Sequence, residues 1–166
     1  MQNGTRLAAV DLGSNSFRLE IGQFDDGQIA RAEYYKEIVR QGNGLDADRN
    51  LTPEALQRGW DCLARFGERL AGFKKVQVRA VATQTLREAR NRDEFLAKGR
   101  QLLGFPIDVI PGREEARLIY QGVVHLLPLS RIGCCSMPFG WKSSSVRPSF
   151  WIMVPMAPSR MATRSW

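Results

Sequence analysis

Hydrophobic and polar positions alternate along the first 128 residues in patterns typical of strands and helices. The apolar run over residues 6–11 predicts a buried strand that ends at a Gly/Ser/Asn turn. Residues 16–23 and 28–38 predict two more strands, and the Asp-Asp-Gly signal at residues 25–27 predicts the hairpin between them. Three connected strands are therefore expected to open the chain.

Helical spacing of apolar residues then alternates with shorter β-branched runs. Thr52 followed by Pro53 is typical of a helix N-cap and its first helical position. The predicted later elements are, in chain order, a helix closed by Gly72, a strand over 76–82, a helix from Asn91 or Asp93 to about Leu103, a strand over 107–110 and a helix over 114–127. This order predicts an α/β domain with a mixed sheet of about five strands flanked by helices.

The composition is typical of a soluble globular protein. Of the 166 residues, 43% are hydrophobic and 25% are charged, and the length suffices for one well-packed domain. No run of 18 apolar residues predicts a membrane span, and the N-terminus lacks the pattern of a secretory signal. Three cysteines, two of them adjacent, do not form a disulfide framework, so we expect a cytoplasmic setting.

The charge distribution separates the C-terminus from the rest. Residues 129–166 hold five of the 24 basic residues and none of the 17 acidic ones, which leaves 19 basic residues and a net charge of +2 before them. The same segment holds four of the five Met, three of the four Trp and two of the three Cys. This composition is abnormal for a globular or a disordered segment, so a basic tail that binds nucleic acid is disfavoured. We predict one domain over 1–128 and a non-native, poorly ordered tail over 129–166.

The first candidate for chemistry is the turn after the opening strand. Gly13-Ser14-Asn15-Ser16 brings together small residues whose N–H, hydroxyl and amide groups favour an anion. Asp11, at the end of the strand, carries the oxygen ligands that Mg²⁺ prefers. The alternative is an ordinary tight hairpin with an Asx turn.

The second candidate is the acidic pair Glu114 and Glu115 in the first turn of the last predicted helix. Acidic side chains there complement the helix dipole, which is the structural alternative. In the functional interpretation, one of them faces a cleft and orients or deprotonates a water that attacks phosphorus. Arg87, which follows the strand over 76–82, is suited to bind a phosphoryl oxygen or to form a surface ion pair.

Four segments, VDLGSNSF at 10–17, GL at 44–45, TQTLR at 83–87 and GREEARLIYQGV at 112–123, resemble one family in order and spacing. They are similar to the exopolyphosphatase / guanosine-pentaphosphate phosphohydrolase (Ppx/GppA) family, over about residues 6–128. The resemblance implies an actin-like ATPase (ribonuclease-H-like) fold with two such domains facing across a cleft. It also implies Mg²⁺-dependent removal of terminal phosphate from inorganic polyphosphate, or of the 5′ γ-phosphate from guanosine pentaphosphate (pppGpp). Full-length members are expected to be homodimers.

The resemblance also implies roles for individual residues. Glu115 takes the catalytic position that orients the attacking water, and Asp11 takes the acidic position near the metal. The loop at 13–16 takes the position of the first phosphate-binding loop. Arg87 takes a position in contact with polyphosphate.

One element of the family is missing from its expected place. A second phosphate loop, Asp-Ile-Gly-Gly-(Gly/Arg)-Ser-Thr-Glu, should follow shortly after residue 130 and is absent. A shifted reading of the codons from residue 130 onward permits fragments of the family's continuation, so we interpret the tail as a frameshift product. Because phosphoryl transfer needs both sides of the cleft, little activity is expected from this chain. The alternatives are a pppGpp 5′-phosphohydrolase and a non-catalytic fragment that binds polyphosphate or nucleotide.

Overall fold

The computed structural model describes residues 2–126, and both the predicted boundary at residue 128 and the tail over 129–166 lie outside them. The strands are β1 (Thr5–Leu12), β2 (Ser16–Asp25), β3 (Gln28–Ile38), β4 (Val78–Ala82) and β5 (Ile107–Val109). The helices are α1 (Pro53–Arg69), α2 (Gln84–Glu88), α3 (Arg92–Leu103) and α4 (Gly112–Leu126), and short 3₁₀ turns cover Gly42–Gly44 and Lys75–Gln77.

The five strands form one mixed sheet in the order β3-β2-β1-β4-β5. β1, β2 and β3 form an antiparallel meander, whereas β4 runs parallel to β1 and β5 runs parallel to β4. Parallel neighbours need crossover connections, and α1 supplies the one before β4 while α2 and α3 supply the one before β5. β1 therefore lies at the centre of the sheet, with its carboxyl end beside that of β4.

The hairpin between β2 and β3 forms where the sequence predicts it. Asp26 and Gly27 have positive φ angles of 48° and 81°, the left-handed backbone that such a tight turn requires. The turn sets the register of the hairpin as far as Gly22, which pairs with Arg31.

A β-bulge next to Gly22 then shifts the register of the hairpin. Ile21 pairs with Glu33, so one extra residue of β3 is inserted, and every later side chain of β3 changes face. As a result Tyr35 packs against the main hydrophobic core, and Lys36 lies opposite Arg18 on the other face of the sheet.

The main core lies between the sheet and the packed helices α1 and α3. Trp60 of α1 stacks on Phe95 of α3 with ring centroids 6.2 Å apart, and its indole N–H donates to the Phe95 carbonyl oxygen at 3.1 Å. Thr52 caps α1 as predicted, because its hydroxyl oxygen accepts a hydrogen bond from the N–H of Ala55 at 3.3 Å. Burial of these apolar faces holds the helices on the sheet.

The opposite face of the sheet carries α4 over a smaller core. This second cluster consists of Leu7, Ala9, Val81, Ile110 and Leu118. Because α4 starts three residues after β5 ends, its first turn lies at the same edge of the sheet as the carboxyl ends of β1 and β4. The position of this turn decides where the acidic pair of α4 is placed.

The structure differs from the local predictions in four details. The strand predicted from residue 76 begins at Val78, and Val76 is 89% exposed in a 3₁₀ turn. Asn91 does not cap α3 with its side chain, because its amide pairs with both the N–H and the carbonyl of Leu51, at 2.8 and 3.0 Å. The short helix α2 was not predicted as a separate element, and α4 begins at Gly112 rather than at residue 114.

The predicted class, an α/β domain with a mixed sheet of about five strands flanked by helices, is confirmed. Among residues 2–126, none of the helices combines the length and the apolar character needed to cross a bilayer.

Candidate active site

A cleft of about 280 Å³ opens at the carboxyl ends of β1 and β4, beside the first turn of α4. This edge of a sheet with parallel strands is a usual position for ligands. The lining residues are Asp11, Gly13, Ser14, Asn15, Ser16, Arg18, Lys36, Val81, Thr83, Gln84, Ile110, Glu115, Leu118 and Ile119. The structure thus brings together all the predicted site residues except Arg87.

The carbonyl groups of the turn between β1 and β2 accept hydrogen bonds from the segment that follows β3. The Ser14 carbonyl accepts from the N–H of Gly42 at 2.8 Å, and the Asn15 carbonyl accepts from the N–H of Arg40 at 2.9 Å. Within the described residues, the N–H groups of residues 13–15 donate no hydrogen bond. A turn with occupied carbonyls and unpaired N–H groups suits an anion.

Asp11 is buried at the end of the central strand, with 6% of its surface exposed. One of its carboxylate oxygens lies 3.4 Å from Nη1 of Arg18, on the adjacent strand. Burial raises the pKa of Asp11 from 3.8 to about 6; Arg18 opposes this rise, and the negative charge of Glu115 adds to it. A carboxylate in this position gains from a cation in the cleft.

The two acids of α4 have different surroundings. Glu115 lines the cleft, and its Oε2 accepts a hydrogen bond from Nη1 of Arg87 at 2.9 Å. Glu114 accepts two hydrogen bonds from Arg117, at 2.6 and 2.8 Å, which keep the pKa of its carboxyl below the usual range. The structure therefore places Glu115 at the cleft and Glu114 in an ion pair within its own helix.

Arg87, on α2, does not line the cleft. Its Nη1 donates to the carbonyl oxygen of Ile110 at 2.8 Å and to Oε2 of Glu115 at 2.9 Å. The side chain is 26% exposed and links the end of β5 to the first turn of α4. Its contact with polyphosphate stays a prediction, whereas its contact with Glu115 is part of the structure.

The cleft also contains two cations to which the sequence analysis assigned no role, Arg18 and Lys36. Arg18 pairs with Asp11 across β1 and β2, in a register that the short turn between these strands would have predicted. Lys36 reaches the cleft face only because of the bulge in β3, and the sequence carries no clear signal for that bulge. Both side chains place positive charge beside the loop at 13–16.

The oxygen ligands of the cleft fit one mode of Mg²⁺ binding. Among residues 2–126, no three His, Cys, Asp or Glu side chains converge on a common point. Mg²⁺ commonly uses one or two carboxylates together with substrate phosphates, so Asp11 and Glu115 beside the loop at 13–16 match that mode. The charge of Glu115 raises the pKa of Asp11, and a cation between the two carboxylates would relieve this repulsion. The Mg²⁺ site at Asp11 stays a prediction.

Comparison with known proteins identifies the family. The model of the Ppx/GppA phosphatase family matches residues 21–135. Among solved structures, an exopolyphosphatase-like protein is 31% identical with a TM-score of 0.69, covering 76% of this chain and 38% of its own. The Ppx/GppA enzyme of Aquifex aeolicus is 31% identical with a TM-score of 0.68, covering 74% and 41%. An exopolyphosphatase from Cytophaga hutchinsonii is 28% identical with a TM-score of 0.68, covering 73% and 39%.

The chain belongs to the Ppx/GppA phosphatase family. Its α/β domain has the actin-like ATPase fold of these relatives, as the sequence resemblance implied. The chain spans about two fifths of the length of the solved structures that it matches.

Proposed function

We propose that this chain contributes one wall of an exopolyphosphatase active site, which releases terminal orthophosphate from inorganic polyphosphate. The observation that supports this most directly is the meeting of Asp11, Glu115 and the loop at 13–16 in one cleft. The loop offers a phosphoryl group N–H groups that donate no hydrogen bond within residues 2–126, and Glu115 presents a carboxylate to the same space.

In the proposed reaction, water attacks the terminal phosphorus of polyphosphate. The P–O bond to the next phosphate breaks, the shortened polyphosphate leaves with the electron pair, and orthophosphate is formed. Glu115 orients the water and accepts its proton. The N–H groups of residues 13–15, with Arg18 and Lys36, hold the phosphoryl oxygens and offset their charge. Mg²⁺, held by Asp11 and the substrate phosphates, would supply further charge neutralisation when bound.

This chain supplies only part of the relatives' length, so we expect a lower rate than that of a full-length relative. Transition-state stabilisation in phosphoryl transfer depends on groups that surround the phosphate from several directions. The described residues provide the wall formed by β1, β4 and α4. We still expect the protein to be cytoplasmic and its full-length form to be a homodimer.

A second candidate is hydrolysis of the 5′ γ-phosphate of pppGpp. One side of the cleft is apolar, formed by Val81, Ile110, Leu118 and Ile119. Inorganic polyphosphate has no apolar group to place there, whereas a nucleoside has a base and a ribose that pack on apolar surface. Comparing orthophosphate release from long polyphosphate and from pppGpp, at equal Mg²⁺, distinguishes the two substrates.

The test of the proposal is the Glu115→Gln variant, which keeps the shape of the side chain and removes its charge. We expect orthophosphate release to fall about 10²- to 10⁴-fold, the usual contribution of a general base, while substrate binding is retained. Glu114→Gln is the matched control, because Glu114 pairs with Arg117 and does not line the cleft.

Full activity of Glu115→Gln would contradict the assigned role. If calorimetry shows that the unchanged chain binds polyphosphate but the chain releases no orthophosphate, it is the non-catalytic binding fragment named above as an alternative.

A further inference from the structure

Residues 39–44, which we call the clamp segment, lie between the loop at 13–16 and helix α1. Three backbone N–H groups of the segment donate hydrogen bonds of 2.8 to 3.1 Å to carbonyl oxygens of the loop. These bonds run from Val39 and Arg40 to Asn15, and from Gly42 to Ser14. The residues of the loop line the cleft, whereas none of the clamp segment does. The clamp segment therefore supports the loop from outside the cleft.

The planarity of the peptide bond links these contacts to the direction of the loop's N–H groups. In a trans peptide, the carbonyl and the N–H that follows it point in opposite directions. The Ser14 carbonyl, held by Gly42, therefore turns the N–H of Asn15 away from the clamp segment. An N–H group whose direction is fixed in this way suits an anion in the cleft.

On its other side, the clamp segment is held by α1. Nε of Arg58 donates to the carbonyl oxygen of Val39 at 3.1 Å. The side chain of Gln41 is buried, and its Oε1 would lie 3.1 Å from a Cβ placed at Gly59. The clamp segment thus connects the loop to a helix of the main core.

Gly44 lies at a close approach of the clamp segment to α1. Its carbonyl oxygen accepts from the N–H of Thr52 at 2.8 Å, and its own N–H donates to the carbonyl of Gln41 at 3.0 Å. A Cβ at residue 44 would overlap the Cβ of Ala55, while Cα of Ala55 and Nη2 of Arg58 would lie 3.6 Å away. A side chain here therefore pushes the segment away from α1, and one methyl group is the obstacle.

We propose that Gly44 is a positioning residue: its close packing on α1 holds the clamp segment against the loop at 13–16 and so directs the loop's N–H groups at phosphate. This inference rests on the proposed function. Gly44 does not line the cleft, so it acts through the loop. N–H groups that are oriented in advance bind a phosphoryl group without reorganisation.

The test is Gly44→Ala in the 166-residue chain, with tripolyphosphate as the probe and EDTA present to suppress turnover. The NMR signal of the Asn15 N–H is followed during the titration. We expect it to shift in the unchanged chain. In Gly44→Ala the dissociation constant should rise about tenfold or more, as for the loss of one hydrogen bond to a charged group.

Two further variants separate positioning from stability. Ala55→Gly removes the obstructing methyl group, so adding it to Gly44→Ala should restore the affinity to within about twofold of Ala55→Gly alone. Gly67→Ala overpacks α1 against Leu102 instead, so it should lower stability and leave the affinity within about twofold of the unchanged chain.

Three outcomes would overturn the positioning role: unchanged affinity in Gly44→Ala, an equal loss in Gly67→Ala, or no restoration by Ala55→Gly. If Gly44→Ala does not fold, Arg58→Met takes its place. It removes the hydrogen bond to Val39 and should raise the dissociation constant about fivefold, and an unchanged value would equally overturn the role.

A second measurement does not depend on a ligand. Relative to the buried N–H of Val10, the N–H of Gly42 should exchange its hydrogen faster in Gly44→Ala than in Gly67→Ala, because its bond to Ser14 is weakened. If the unchanged chain does not bind tripolyphosphate, the proposed function fails, and this exchange alone decides whether Gly44 holds the loop. Equal relative exchange in both variants would overturn the inference.

Discussion

Asp11 combines a central position in the sheet with a charge that burial disfavours. Its side chain is 6% exposed, and its partner Arg18 lies 3.4 Å away, too far for a strong hydrogen bond. The result is a pKa of about 6 for a carboxyl whose usual value is 3.8. A site that lowers stability in this way is typical of residues retained for binding or catalysis.

The raised pKa of Asp11 predicts how stability depends on pH. The folded state holds the proton of Asp11 more tightly than the unfolded state, so this stabilisation is complete below pH 3.8 and is lost as pH rises through about 6. The shift corresponds to about 3 kcal/mol. Asp11→Asn has no such proton to lose. When the pH is raised from 3.5 to 8, the unfolding free energy of the variant should therefore rise by about 2–3 kcal/mol relative to that of the unchanged chain. Urea unfolding with EDTA present, at both pH values, measures this change.

Asp108→Asn provides the control for this experiment, because Asp108 lies exposed on β5 and does not line the cleft. Its change between the two pH values is the reference for an Asp→Asn substitution outside the cleft, and it is subtracted from that of Asp11→Asn. A parallel, pH-independent offset for Asp11→Asn would contradict the raised pKa.

At the scale of elements, the contact between α1 and α3 depends on positions without a side chain. A Cβ added at Gly67 would lie 2.3 Å from the carbonyl oxygen of Leu102. A Cβ at Gly59 would lie 2.5 Å from the ring of Phe95. The close approach of these helices therefore requires glycine on α1.

Gly67→Ala should destabilise the protein by about 1–3 kcal/mol, the usual cost of overpacking. In a free helix the same change stabilises by about 1 kcal/mol, so the sign of the effect reports the tertiary contact. Urea unfolding measures it. Glu68→Ala, at the exposed neighbouring position, should stay within about 0.5 kcal/mol of the unchanged chain. Stabilisation by Gly67→Ala would mean that α1 and α3 do not pack as described.

Local sequence patterns predicted most of the elements because the signals act over a few residues. The Asp-Gly turn requires left-handed backbone at Asp26 and Gly27, and Thr52 caps its own helix. Asn91 was misjudged because a distant backbone, that of Leu51, competes for its amide. Propensity alone does not contain such a competition.

At the scale of the whole molecule, residues 2–126 cover the two faces of the sheet unequally. A large core lies under α1 and α3, whereas α4 is attached through a small cluster that includes Leu118 and Ile110. Leu118 is 7% exposed and lies one helical turn after Glu115. Besides its hydrogen bond with Arg87, Glu115 therefore depends for its position on the apolar contacts of this cluster.

Leu118→Ala should lower both stability and activity. We expect a loss of about 2–5 kcal/mol in unfolding free energy, as for other buried leucines. We also expect orthophosphate release to fall at least about tenfold, because small displacements of a catalytic group are costly. Urea unfolding and kcat, measured well below the unfolding temperature, test the two parts.

Leu96→Ala is the matched control, since Leu96 is 4% exposed on α3, on the opposite face of the sheet. It should cost similar stability and leave kcat nearly unchanged. Equal losses of kcat in both variants would show that activity follows global stability rather than the attachment of α4.

The sequence by itself determined the order of the strands and of the longer helices, the meander around the turn at 13–16, and the candidates Asp11 and the acidic pair Glu114 and Glu115, because each depends on residues close together in the chain. The tertiary structure alone decided that Lys36 reaches the cleft, through a bulge in β3, and that Arg87 binds Glu115. Both depend on contacts between segments far apart in sequence, whose geometry no local pattern contains.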